Sequence, residues 1–398
     1  MLRFARYHAA FSIGGDTWPE LSEHLRRLRQ LVDAPAILIM RLLDCLDRSE
    51  TFETESVQES IEILESYIFR RAICGEQTRG YWQVFANLAY GINEDDPLLS
   101  LKVGLARQHE NYGFPNDSQF RSCLCERDLY ALRICWYMLV RFENHNNKEP
   151  AVVTNYSIEH ILPQNENLSS KWREMLGEDW QEIQKAWLHR LGNLTLTGYN
   201  PEYSDRDFET KKTIDGGFNV SSLRLNQFVR DQTSWTHREI KARGEELAAR
   251  SLDIWPAIHV DPAAIESAKQ AELRSLAAKR DVAKVQMTAA AQVLFESLAP
   301  RVKKLDVDIV ELAEHKSVSY HAPRFFLEVL PRKHNLVLLL ELDFNEVVDP
   351  AEIAADATEW SFFFYASHEA GVTVNIKEEQ DIDNAMPIIQ QALKLANA

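Results

Sequence analysis

Ile158-Glu159-His160-Ile161-Leu162-Pro163-Gln164 sets an acid beside a histidine just ahead of a proline, which cannot donate to a strand ladder. Gly192-Asn193-Leu194-Thr195-Leu196 begins 29 residues after Pro163, and Asn200 follows it. Leu194-Thr195-Leu196-Thr197 alternates as a strand does. Pro201 and then Ser204-Asp205-Arg206-Asp207-Phe208-Glu209-Thr210-Lys211-Lys212 come next, where a serine with an acid three positions on predicts a helix start. Between the two extended stretches lies a polar segment with Trp172, Trp180 and Trp187, which predicts one or two helices. The order is strand, long insertion, strand, helix, with Ala151-Val152-Val153-Thr154 as a further short β-branched run before it.

Upstream, residues 1–150 read as helical. Leu21, Leu25, Leu28, Leu31 and Val32 fall at helical spacing, as do Ile61, Leu64, Ile68 and Ile73, and Leu129, Leu132, Cys135, Met138 and Leu139. Asp117-Ser118-Gln119-Phe120 after Pro115 predicts another helix start. Downstream, residues 221–256 predict closing helices. Residues 261–298 are rich in Ala, Glu, Lys and Gln, with no Gly or Pro from Ala263 to Leu298, and predict one long spacer helix. The last hundred residues change pattern. Two apolar runs, 325–330 and 336–342, flank Pro331-Arg332-Lys333-His334-Asn335 as a hairpin; residues 361–365 and 372–376 suggest two more strands, and 381–395 a closing helix. The expected architecture is α+β and multidomain. It comprises a helical domain over 1–150, the central motif with its closing helices over 151–256, a helical linker over 257–284, and a separate α+β domain over 285–398.

Composition sets bounds. The 398 residues are 45% hydrophobic and 10% aromatic, which is globular, and carry a formal charge of −16. A protein working on polyanions ordinarily shows a basic face. From Glu159 to Lys212, however, there are 7 Lys/Arg against 10 Asp/Glu, so this stretch is no basic patch. The five cysteines, Cys45, Cys74, Cys123, Cys125 and Cys135, are odd in number and contain no CxxC pair, which argues against a disulfide framework or a four-cysteine zinc site. No long apolar region follows the basic start and residues 34–43 are too short to span a bilayer, so the expectation is a soluble cytoplasmic protein.

The central residues carry a chemistry. Phosphodiester hydrolysis needs an activated water and charge neutralisation, and one Mg²⁺ or Mn²⁺ can supply the latter. Such hard cations keep several waters, so a carboxylate and an amide oxygen suffice from the protein; Glu159 and Asn200 are the candidate ligands. His160 can take a proton from water near neutral pH. Adjacent strand residues point to opposite faces, so Glu159 and His160 share one site only if the backbone twists or bulges there. Asn193 is the candidate brace for His160, and Lys211 and Lys212 are candidate phosphate contacts. Other polar residues carry blander readings. Trp172, Trp180 and Trp187 read as a packed helix face, and Arg70-Arg71 as a solvated face or a partner to another helix. His315, His321 and His334 read as surface or turn positions, Arg332-Lys333 as a solvated hairpin tip, and His189 as a second imidazole of lesser weight.

Over these motifs the chain resembles the C-terminal half of GmrSD-type modification-dependent (type IV) restriction enzymes. Their HNH (ββα-metal) nuclease domain carries a His-Ile-x-Pro string and a Gly-Asn-Leu-Thr-Leu strand. Tyr67, Arg70-Arg71, Ile73-Cys74 and Gly80-Tyr81 resemble a helical block of that family, Phe114-Pro115 with Asp117 and Phe120 another, and Trp235, Ile240, Arg243, Leu247 and Ile254-Trp255-Pro256 its closing helix. The resemblance implies a cation-dependent DNA endonuclease of restriction and phage defence acting on modified DNA. It makes His160 the general base, Glu159 the acidic ligand, Asn193 the middle asparagine and Asn200 the last position of the triad. Many members carry Asp where Glu159 stands, and seven residues from Asn193 to Asn200 is a short gap. The chain shows no Walker-type loop and no Asp-Gly-Gln-Gln-Arg string, which the family's nucleotide-hydrolysing domain carries, so that function would come from a partner domain or subunit. Residues 285–398 resemble an appended domain of unknown function. Two readings stand: an HNH endonuclease, or a degenerate HNH scaffold that binds DNA or protein.

Overall fold

The computed structural model describes residues 2–14, 17–108, 110–279, 282–322, 324–357 and 371–397. The strand expected at 361–365 lies outside the described residues. The architecture is α+β, and the chain divides into two compact units, Met1–Val260 and Asp261–Ala398. No helix among the described residues is long and apolar enough to cross a membrane.

The first unit is mostly helical. Leu2–Ser12, Ser22–Leu31, Ala36–Arg48, Thr54–Cys74, Tyr81–Tyr90 and Pro97–Ala106 surround one apolar core. Thr54–Cys74 runs through it, and Gly75 ends that helix in the left-handed region at φ 77°, where glycine carries no Cβ penalty. Arg70 and Arg71 are not solvated. Both are fully buried on this helix: Arg70 donates to Trp255 O, Pro115 O and Asp117 Oδ1, and Arg71 to Tyr81 Oη and to the carbonyls of Gln77, Asn111 and Gly113. Guanidiniums with five donors can saturate carbonyls that a loop would otherwise leave bare, which ties residues 111–117 to the helix. Asn116 then caps the helix Asp117–Glu126, its side chain accepting from Gln119 N at 2.9 Å.

Two strands form the sheet of this unit, β1 (Ser157–His160) and β2 (Leu194–Thr197), antiparallel with Glu159 opposite Thr195 and His160 opposite Leu194. The β-branched run at 151–154 is not part of it. Asn144 clamps Ala151 there, accepting from its N–H and donating to its carbonyl, so the backbone is satisfied by a side chain and not by a ladder. One face of the pair, with Ile158, Leu194 and Leu196, packs into a core with Phe69, Leu247 and Trp255. Past β1, Ile161 and Leu162 join a different core with Trp172, Phe208 and Trp235. Trp172 is buried in it and Trp180 and Trp187 pack against it, from the helices Ser170–Leu176 and Trp180–Trp187. After β2 comes a single helical turn, Asn200–Tyr203, and then the helix Phe208–Thr213, which starts later than the serine signal suggested. Asp207 is its cap, accepting from Thr210 N at 3.1 Å, while Ser204 turns the chain at φ 42°.

Among the described residues, the second unit holds a six-stranded antiparallel sheet ordered β3-β4-β5-β6-β8-β7. Its strands are β3 (Val310–Ala313), β4 (Val318–His321), β5 (Phe325–Pro331), β6 (Leu336–Leu340), β7 (Ala354–Asp356) and β8 (Val372–Ile376). The hairpin read at 331–335 is β5 turning to β6, closed by Arg332 N donating to Asn335 O. Helices Ala289–Lys303 and Glu379–Ala396 share the apolar core with the sheet. The single spacer helix expected over 261–298 is instead two helices, Pro262–Lys279 and Ala289–Lys303. Thr288 caps the second, accepting from Ala291 N and donating to Lys333 O. His321 is buried in β4 beside Ser319 Oγ, not at a surface turn, and burial pushes its imidazole down to about 4.

Candidate active site

The pairing of β1 with β2 is regular through His160, with no bulge in its register. Neighbouring side chains therefore leave the strand on opposite faces, and the partners of Glu159 and His160 are different sets.

On one side, Glu159 is only 4% exposed and its Oε1 accepts from Lys211 Nζ at 2.5 Å. Lys211 is fully buried on the helix Phe208–Thr213, and its ammonium also donates to His160 O at 2.9 Å and Ile161 O at 3.2 Å. Burial raises the Glu159 carboxyl from its ordinary range, opposed by the ammonium; burial lowers Lys211, opposed by the carboxylate. Asn200 lies toward the start of β1, where its amide donates to Ser157 Oγ at 2.9 Å and Ile158 O at 3.1 Å. Lys212 donates to Gln232 O at 2.5 Å and lies over the Phe208 ring.

On the other side, His160 is 3% exposed. Its Nε2 is 3.0 Å from His189 Nδ1, and its Nδ1 is buried with no hydrogen-bond partner. Burial first, then the charges of His189 and Lys211, push this imidazole down to about 3. Tyr130 covers the pair: its ring stacks on His189, with centroids 5.4 Å apart and planes 9° apart, and meets His160 edge-on at 4.4 Å. Leu129 N donates to His189 O, which anchors the Tyr130 loop to the second imidazole.

With its side chain, Asn193 hydrogen-bonds to neither imidazole. It is fully buried, and its side chain spends every valence on structure. Oδ1 accepts from Leu162 N and Trp235 Nε1; Nδ2 donates to Leu162 O and Leu188 O. It thereby fixes the turn that leaves β1 just after His160 and the end of the segment that carries His189. Arg243, from the helix His237–Ile254, donates to the carbonyls of Gly192 and Leu194 beside it.

The sequence singles out His160 as a candidate and gives His189 lesser weight. It misses Tyr130, whose only signal is an aromatic with no periodic neighbour. The Glu159–Lys211 pair, 52 residues apart, had no signal along the chain.

A divalent ion at Glu159 and Asn200 does not fit this arrangement. The carboxylate already holds a buried ammonium at hydrogen-bond distance. A dication ~4 Å from that ammonium would meet a repulsion of roughly 8 kcal/mol at an effective dielectric of ~20. Among the described residues, no group of three or more His, Cys, Asp or Glu side chains converges as a metal site.

Residues 114–250 match the family model described as GmrSD restriction endonucleases, C-terminal domain. No curated protein and no solved structure matches the chain. The matched stretch spans Tyr130, β1, His189, Asn193, β2 and Lys211 together, so over these residues the chain is similar to the C-terminal domain of GmrSD restriction endonucleases.

Proposed function

We propose that this chain is a DNA endonuclease in which His160 activates water for phosphodiester hydrolysis, with β1, β2 and the helix Phe208–Thr213 as an HNH-type ββα core. The carrying observation is the state of the His160 ring. One nitrogen is held by His189 and the other is buried and unpartnered. With Nε2–H donating to His189 Nδ1, the lone pair of His160 resides on Nδ1 and is the base. His189 then carries its own proton on Nε2 and accepts from His160 Nε2–H, which fixes the His160 tautomer. Asn193 acts through the backbone, holding the turn after His160. Tyr130 shields the pair from bulk water until substrate displaces it. A nuclease family suggests a divalent ion, Mg²⁺ or Mn²⁺ here, but Lys211 already occupies Glu159 and no step is assigned to the metal. The biological setting proposed is cytoplasmic restriction of phage DNA carrying modified bases, together with a nucleotide-hydrolysing partner domain or subunit.

One observation favours a second reading, a degenerate scaffold that binds DNA or protein: acid and imidazole are both sealed from solvent. Plasmid nicking in Mg²⁺ or Mn²⁺ separates the two. The endonuclease reading expects cleavage by the wild type, a loss of about 10²-fold or more in His160→Ala, as removal of a general base costs, and a smaller loss in His189→Asn. Equal nicking by His160→Ala, or none by the wild type on modified and unmodified DNA alike, would leave the scaffold.

A further inference from the structure

We propose that Lys211 is the resident cation of the Glu159 site: its ammonium fills an all-oxygen cage of Glu159 Oε1, His160 O and Ile161 O, and a divalent ion does not enter there. The cage has the donors a hard cation takes, one carboxylate oxygen and two consecutive backbone carbonyls. Each of the three lies within 2.5–3.2 Å of Nζ, which uses all three ammonium protons. The lysine is delivered from a fixed base. Asp207 caps its helix, and Phe218 N donates to Lys211 O at 3.1 Å, so the backbone bearing the side chain is pinned at both ends. Neither charged group is open to solvent, so the ammonium and the carboxylate neutralise each other directly.

The consequence reaches His160. Its carbonyl and that of the next residue are held by the same ammonium, so Lys211 sets the backbone at the end of β1 and with it the departure of the imidazole toward His189. Lys211 is a positioning residue, and Glu159 is its counter-ion in place of a metal ligand. Any divalent ion the protein uses binds elsewhere.

Mn²⁺ binding to the full chain, followed by electron paramagnetic resonance, tests this without reference to cleavage, so its outcome is separate from that of the endonuclease reading. Glu159→Gln is expected to leave wild-type Mn²⁺ affinity within twofold. Lys211→Met, which vacates the cage at similar volume, is expected to gain a Mn²⁺ site at least tenfold tighter than any in the wild type, and Lys211→Met/Glu159→Gln to lose it again. A buried ion pair with a purely structural role would give no such gain. A tenfold weaker wild-type affinity on Glu159→Gln, or no new site in a folded Lys211→Met, overturns the proposal. Should either substitution unfold the chain, a wild-type crystal soaked in Mn²⁺ decides by anomalous scattering. A peak at coordination distance from Glu159 overturns it; a peak elsewhere, or none, upholds it.

Discussion

At the scale of single residues, the two sides of β1 make opposite demands. His160 stays neutral in the fold down to about pH 3, whereas its imidazole in an unfolded chain binds a proton near 6.5. Its contribution to stability is therefore complete above pH 6.5 and is lost as pH falls from there through 3, at up to about 1.4 kcal/mol per pH unit. Urea unfolding between pH 7.5 and 5 is expected to show this decline, and His160→Asn to flatten it by one proton. A variant with the wild-type slope would assign the proton to another group. Asn193 makes four side-chain hydrogen bonds in a fully buried position. Asn193→Ala strands their partners and is expected to cost about 3 kcal/mol or more in the same titration. The histidine and asparagine were legible because each lies in a short segment with its own pattern. Their partners were not, because a hydrogen bond to His189, Trp235 or Lys211 is a relation through space.

Elements meet at Gly192. A Cβ there would lie 1.8 Å from Ile240 O and 2.7 Å from its carbonyl carbon, so the turn before β2 touches the helix His237–Ile254 backbone to backbone. No rotamer relieves that clash. Gly192→Ala is expected to destabilise the first unit by roughly 3 kcal/mol or more, read as a fall in Tm. Gly244, across the same contact, has its nearest neighbour outside its own helix at an ordinary 3.6 Å, so Gly244→Ala is expected to be neutral or, by helix propensity, stabilising by up to about 1 kcal/mol. A large loss in both would mean the helix sits closer than described. The elements themselves were largely readable. β2 showed its alternation, β5 and β6 their apolar runs about a turn, and β8 its β-branched residues. The departures have local causes: Asn144 takes both backbone bonds of Ala151, at the head of the β-branched run 151–154, and Thr288 starts a new helix where composition alone predicted continuity.

For the whole molecule, charge bears on the proposed contact with DNA. The chain carries −16, yet residues 114–250 hold 18 Lys/Arg against 20 Asp/Glu, so most of the acidity lies outside the stretch that matches the family model. Several of those cations are committed internally, among them Arg243 and Lys211. Few phosphates can then be neutralised, and binding of a DNA duplex, followed by fluorescence anisotropy, is expected to depend weakly on salt, with a log–log slope no steeper than about −3. A slope near −6 would reveal a basic groove that the balance of charges conceals. The amino-acid order alone determined the α+β character, the strand-insertion-strand-helix succession and the imidazole at its centre. Those follow from side-chain periodicity and from backbone preferences that act over a few residues. Only the tertiary structure decided which cation neutralises Glu159 and which ring holds His160. Electrostatic and hydrogen-bond partners are chosen by distance in a dry interior, and the chain brings residues 52 positions apart to within 2.5 Å.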